Sequence, residues 1–325
     1  MTQPPTDRDE VPNVRIARNP VYDHTGTLLE ADFKPGSIEE WTTVIDHWVA
    51  NFQAEVLQDD GTYQRTAYGI GLPPEKVWNH KNIQTFGNRK DLMDGVLHDC
   101  GVGIDTWNVL DHEGFTASYG SNREIIYKPQ GGSLGDGIAV FPNLKALREA
   151  IRDRKVQRDG FIQPYLSIHD PIQGLKGATK EDAEILRDVN NGPDRVRELR
   201  MHTLTTTSRT GQLQAEAYPT LKISKPGTKT MQTVGCIALD PSCVPPDSYI
   251  HRKSVAVGKA LCIAAGQDGV PMSQCYSVSD WLIPGGDMTQ QGQAKVGDGN
   301  CRLPGLNINA PAARQAFVKI LAGQQ

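Results

Sequence analysis

The stretch YKPQGGSLGDGIAVF, residues 127–141, sets four glycines between two apolar runs and places a lysine in front of them. Pro129 confines Lys128 to extended backbone, which holds the ammonium on one chosen face of the strand that it ends. Gly131, Gly132, Gly135 and Gly137 let the chain turn, and they let consecutive N–H groups approach an anion with no Cβ in the way. Taken alone, the segment is open to two readings: a glycine-rich hairpin, or a cradle for phosphate. It is not a Walker A loop, since GxxxxGK[ST] is absent, and it opens a strand where a dinucleotide fingerprint would open a helix.

Working outward, Asn143 caps a helix whose apolar positions are Leu144, Leu147 and Ile151. The charged run RDRKVQRD that ends it reads as a solvated face. A short strand, Gly160 to Leu166, precedes a polar stretch at 167–194 that reads as an inserted loop with one short helix. Residues 198–206 and 211–224 alternate as an antiparallel hairpin around Thr207 to Gly211. A helix near 247–265, strands near 274–283 and 294–300 and a last helix from Pro311 to Gly323 complete that half. On the N-terminal side come strands at 105–110 and 124–128 and an amphipathic helix through Leu92, Met93, Val96, Leu97 and Cys100. Residues 53–80 are loop-rich. Before them, the capping box Ser37-Ile-Glu-Glu40 opens a core-facing helix that carries Trp41, Val44, Ile45, Trp48, Val49 and Phe52. Strands and helices in irregular order, with hairpins, predict α+β domains and not one doubly wound sheet.

The chain of 325 residues is long enough for more than one core. A formal charge of -4 argues against a nucleic-acid coat, so any phosphate recognition is local. Six cysteines without a CxxC pair read as reduced and mostly buried. No apolar run approaches the roughly 20 residues of a membrane span, and the polar start lacks the features of a secretory signal. The expectation is a cytoplasmic protein with no membrane association.

Two further constellations carry charge. In Val296-Gly-Asp298-Gly-Asn300-Cys-Arg302, strand alternation projects Asp298, Asn300 and Arg302 together, which suits a magnesium ion carrying phosphate. Asp280 stands inside the apolar strand 277–283, where a lone carboxylate is costly unless paired or metal-bound. Arg200 alternates with Leu199 and Met201 and offers forked donors to carboxylate or phosphate. Each has a plain alternative, a turn aspartate or a solvated surface arginine.

The order of these features, from Lys90 through Lys128 and its glycines, the strand 161–166, Arg200, Asp280 and Asp298-x-Asn300, resembles the ATP-grasp superfamily over roughly residues 80–310. The likeness is to its glutathione-synthetase and D-alanine:D-alanine ligase branch. It implies two α+β subdomains clamping ATP and one or two magnesium ions. The expected divisions are an N-terminal α/β domain over 1–84, a small subdomain with a glycine-rich flap over 85–166, and a C-terminal subdomain with the metal site over 167–325.

Carried over position by position, Lys90 and Lys128 match the lysines on the ATP phosphates. Gly131, Gly132, Ser133 and Gly135 match the flap. Gln163, Pro164, Tyr165 and Leu166 match the hinge that holds adenine through backbone groups, Pro164 standing where glutamate is usual and keeping its carbonyl acceptor. Asp170 is the candidate for ribose. Arg200 matches the arginine near the transferred phosphate, and Arg302 a residue on the acceptor carboxylate or acyl phosphate. Asp280, Asp298 and Asn300 match the metal ligands, Asp298 being one methylene shorter than the usual glutamate. The implied reaction is ATP-dependent amide formation between a small-molecule carboxylate and an amine, with amino acids or small peptides as substrates; a homodimer is compatible with it. A kinase on the same nucleotide site, or a non-catalytic nucleotide-binding protein, stands as the alternative.

Overall fold

The computed structural model describes residues 10–11, 14–15, 21–22, 28–30, 54–57, 63–66, 81–129, 137–231, 233–266, 268–301 and 310–321. The expected helix over 37–52, the flap residues Gly131, Gly132, Ser133 and Gly135, and Arg302 lie outside them. No helix among the described residues is long and apolar enough to cross a membrane.

The N-terminal part supplies three antiparallel pairs: β1 (Glu10–Val11) with β2 (Val14–Arg15), β3 (Val21–Tyr22) with β4 (Leu28–Glu30), and β5 (Ala54–Leu57) with β6 (Tyr63–Thr66). Helices α1 (Lys81–Asn88) and α2 (Lys90–Asp99) follow.

The smaller of the two main sheets holds β7 (Trp107–Asn108), β10 (Phe161–Pro164), β8 (Ile125–Lys128) and β9 (Ala139–Phe141) in that order, all antiparallel. Ile125, Tyr127 and Ile162 point to one face. They are buried there with Phe115 of α3 (His112–Tyr119) and Leu144, Leu147 and Ile151 of α4 (Leu144–Arg152). The cap expected at Asn143 is present, its side chain accepting from the Ala146 N–H at 2.9 Å.

The larger sheet is ordered β13 (Thr233–Ala238), β12 (Leu213–Ser224), β11 (Arg197–Thr207), β14 (Gln274–Leu282), β15 (Lys295–Asn300). Leu199, Met201, Leu221 and Trp281 bury one of its faces beneath Val257, Leu261 and Cys262 of α6 (Tyr249–Ala264). At Gly258 the helix comes so close that a Cβ would stand 2.6 Å from Thr205 Oγ1. Helix α5 (Lys180–Asn191) fills the 167–194 stretch and opens with a capping box between Thr179 and Asp182. The terminal helix α7 (Pro311–Leu321) lies over β11 and β12. All six cysteines are free thiols, and Cys262, Cys275 and Cys301 are buried.

Two helices bear on the expected 84/85 division. The 84/85 boundary cuts through α1, whose Ile83 is fully buried in the large core. Helix α2, placed by the sequence in the small subdomain, packs Met93, Val96 and Leu97 into that same core. An apolar stripe goes where most apolar area is waiting, and here that is the α6 side of the larger sheet.

Candidate functional site

Each main sheet keeps one face clear of its own core, and the functional side chains stand on those faces. Pairing across the larger sheet places Thr220, Arg200, Asp280 and Asp298 in one row over β12, β11, β14 and β15. Directly opposed residues of antiparallel strands share a face, so all four lie opposite the α6 side.

Arg200 grips Asp280 as a fork, Nε to Oδ1 at 2.7 Å and Nη2 to Oδ2 at 2.9 Å. Lys222 Nζ donates to Asp280 Oδ2 and to Glu198 Oε2, both at 2.8 Å. Asp280 is only 1 % exposed and Lys222 7 %. Burial works against both charges, but the cations hold the Asp280 carboxyl well below the usual carboxylate range, and the two carboxylates hold the Lys222 ammonium above its ordinary value. For Glu198 burial prevails, with Asp280 adding to it, and its carboxyl is pushed up despite Lys222. Desolvated charges persist only when paired this well.

Next to Arg200, His202 is fully buried, with its ring nitrogens 2.5 Å from the Tyr276 hydroxyl and 2.9 Å from Thr220 Oγ1. Burial, with the Arg200 charge beside it, pushes its pKa down to about 3, so the ring is neutral at physiological pH.

The smaller sheet faces this row with Lys128. Its Nζ donates to the Gly297 carbonyl at 2.5 Å, joining β8 to β15. Gly297 is available because β15 carries a bulge: Asp280 pairs with Asp298 but Trp281 with Val296, leaving Gly297 without an opposite residue. The extra residue also sends Val296 into the core, 2 % exposed, while Asp298 stands exposed beside Asp280. Beyond it Gly299 is pressed against α2, where a Cβ would meet the Met93 side chain at 2.7 Å.

Around Lys128 the charges alternate. Burial pulls its pKa down; Asp298 and Asp94 act against that, and the charge of Lys90 acts with it. Lys90 and Asp94 sit at i and i+4 on α2 and so share a helix face. Burial raises the Asp94 carboxyl, opposed by a hydrogen bond from Thr106 and by Lys128. Thus Lys90, Lys128, Arg200 and Lys222 bring four cations to the gap between the sheets. Their counter-ions are Asp94, Glu198, Asp280 and Asp298.

The hinge strand β10 carries Gln163, 4 % exposed, whose Nε2 donates to Thr106 Oγ1 at 2.7 Å. Tyr165 gives its N–H to the Glu124 carbonyl and its hydroxyl to the Lys229 carbonyl, both at 2.9 Å. Pro164 pairs with Ile125, and Leu166 packs on the cluster of Ile104, Ile168, Val196 and Leu282. Asp170 is exposed, in the turn before Pro171.

The structure therefore gathers Lys90, Lys128, Arg200, Asp280 and Asp298, with Asn300 one step along β15 opposite Val278. The expectation that Asp280 is a metal ligand meets a carboxylate whose two oxygens are already engaged by Arg200 and Lys222. Among the described residues no group of three His, Cys, Asp or Glu is arranged to hold a metal ion. The donors that suit magnesium are Asp298 and Asn300, hard oxygens next to Asp280, which keeps lone pairs for sharing. Lys222, Glu198, Asp94 and Thr106 escaped the sequence reading. Only Asp94 had a local signal, its i+4 spacing from Lys90.

No family model matches the chain, and no curated protein matches it. Among solved structures it is similar to the D-cycloserine synthetase DcsG, at 15 % identity over 74 % of this chain and 70 % of that one, with a TM-score of 0.45. It is similar also to the D-alanine-D-alanine ligase from Coxiella burnetii, at 10 % identity over 73 % of this chain and 54 % of that one, TM-score 0.41. A third is the C-terminal domain of K. lactis Pby1, described as an ATP-grasp enzyme, at 16 % identity over 73 % and 71 %, TM-score 0.39. These likenesses are architectural; the chemistry follows from this chain's own side chains.

Proposed function

We propose that this chain is an ATP-grasp enzyme, an ATP- and magnesium-dependent ligase that joins a carboxylate to an amine through an acyl phosphate. The observation that carries the reading is the set of four cations, Lys128 on the smaller sheet, Arg200 and Lys222 on the larger and Lys90 on α2, with Lys128 already reaching across to β15. Every one of them has a carboxylate near it. A polyphosphate entering the gap meets donors that are charged, oriented and largely desolvated, and it replaces carboxylate oxygens by phosphate oxygens.

To make an amide from a carboxylate, its oxygen must become a leaving group, and transfer of a phosphoryl group achieves this. That step calls for charge neutralisation and alignment more than for covalent help from the protein. Lys90 and Lys128 lie where the phosphates of a nucleotide based at the hinge would pass. Arg200 and Lys222 lie further along, where they can stabilise charge on the transferred group. Asp298 and Asn300 would hold magnesium, which supplies further neutralisation of the phosphates when bound. His202 is neutral and enclosed by Tyr276 and Thr220, so it orders the row beside Arg200 and does not serve as a base. The substrates are small-molecule carboxylates and amines, amino acids or short peptides among them.

The test is an ADP-release screen over pairs of carboxylates and amines, with hydroxylamine added to capture the activated acyl group. A ligase yields a hydroxamate together with ADP. ADP released with a working substrate but no hydroxamate refutes the acyl phosphate and favours transfer to a hydroxyl.

A further inference from the structure

Of the four carboxylates in the gap, three are engaged by the reading above. Glu198 and Asp280 accept from Lys222 and Arg200 at 2.7–2.9 Å, and Asp298 is a proposed metal ligand. Asp94 is placed differently. A hydrogen bond from Thr106 holds it, and among the described residues it forms no ion pair.

Its position follows from the packing of α2. The preceding residue, Met93, is pressed against Gly299, which seats the helix on β15. Lys128 reaches Gly297 on that same strand. Asp94 therefore stands where α2, β8 and β15 meet, near Lys128, His98 and Asp298 and one helical turn from Lys90. Burial works against its charge, while Thr106, Lys128 and His98 support it. Lys90 and Lys128 lie on the path of the nucleotide phosphates, so Asp94 lies beside that path. An anion fixed there repels an arriving phosphate, and in a gap with little water the repulsion is poorly screened.

We propose that Asp94 is a resident anion that balances Lys90 and Lys128 before a nucleotide enters, and that its charge holds down the affinity of the gap for polyphosphate and favours release of ADP. The inference rests on the nucleotide-site reading above. It sets Asp94 against the ligand, where Lys90 and Lys128 act for it.

The test is equilibrium binding of ATP, ADP and AMP to the full chain and to Asp94→Asn, at one magnesium and salt concentration. The variant keeps the size of the side chain and an oxygen for the Thr106 hydroxyl, and removes the charge. ATP is expected to bind it about tenfold more tightly, the effect of one like charge roughly 10 Å away at an effective dielectric constant of about 20. ADP should gain less and AMP least, because fewer of their phosphates reach the lysines. Asp94→Ser, smaller and also uncharged, should give the same order. A merely structural Asp94 would weaken all three nucleotides alike. ATP bound no more tightly by whichever variant folds, or tightened no more than AMP, overturns the inference. Wild type and variants that bind none of the three overturn the nucleotide-site reading instead.

Discussion

Lys222→Met puts the charge network to its hardest test. The substitution keeps the length and apolar stem of the side chain but removes the cation that bridges Glu198 and Asp280. Asp280 retains the fork from Arg200, whereas Glu198, 9 % exposed, loses its Lys222 contact. Removing one partner of a buried ion pair costs about 3–5 kcal/mol, chiefly because the other charge stays behind. The corresponding fall in melting temperature is roughly 6–20 °C for a domain of this size. The loss should depend on pH. The Glu198 carboxyl already titrates above its ordinary value, and without Lys222 it moves further up. The penalty of its charge is therefore full above that raised pKa and is relieved as pH falls through it. Adding Glu198→Gln removes the stranded charge, so the double variant should be more stable than the sum of the single effects by at least about 1 kcal/mol. Urea unfolding of the four proteins at pH 5 and pH 8 measures both quantities. A loss under about 1 kcal/mol in Lys222→Met, or strict additivity in the cycle, would refute the reasoning.

Three other outcomes are expected. Lys128→Ala should abolish most ATP turnover yet shift the melting temperature by only a few degrees, since Lys128 stands on the gap face and not in either core; full activity would remove it from the phosphate site. Trp281→Ala should cost about 3–5 kcal/mol in chemical denaturation, because the indole is fully buried and its Nε1 bonds Ser254 and Ser279 at 2.9 and 3.0 Å; a cost under 1 kcal/mol would contradict that packing. Asp280 has a depressed carboxyl pKa, so its stabilisation is present above the unfolded value of about 4 and is lost as pH falls through the folded one. Asp280→Asn should accordingly flatten the acid limb of the stability curve, and a limb of unchanged slope would show that another carboxylate governs it.

The sequence carried the local geometry further than the long-range partners. Alternation around Arg200 was enough to set it opposite Leu199 and Met201, whereas Asp280 read only as a costly carboxylate inside an apolar strand. Lys222 and Glu198 could not be joined in the same way, because 24 residues separate them and their meeting depends on the register of β11 with β12. Helix α3 was missed because HEGFTASY has Gly and Thr in its middle and holds its start through Asp111, whose side chain accepts from the Gly114 N–H at 3.0 Å. Helix α1 and strand β13 likewise carry no clear period, and the capping pair of α5 marks its start but not its three-turn length. Their signals lie in tertiary burial rather than in period. Regular alternation would put Val296 and Asp298 on one face, and the bulge separates them.

That bulge gives Gly297 an influence out of proportion to a residue without a side chain. It shifts the phase of β15, so the strand is read in one frame up to Val296 and in the other from Asp298 onward. Deleting Gly297 would restore a single frame. Asp298 and Asn300 would keep their face, because Val296 and Asp298 already pair with successive residues of β14, but Lys128 would lose the carbonyl it reaches for. One codon would thereby remove the bridge between the sheets while the candidate metal ligands stay in place, without altering any charged residue.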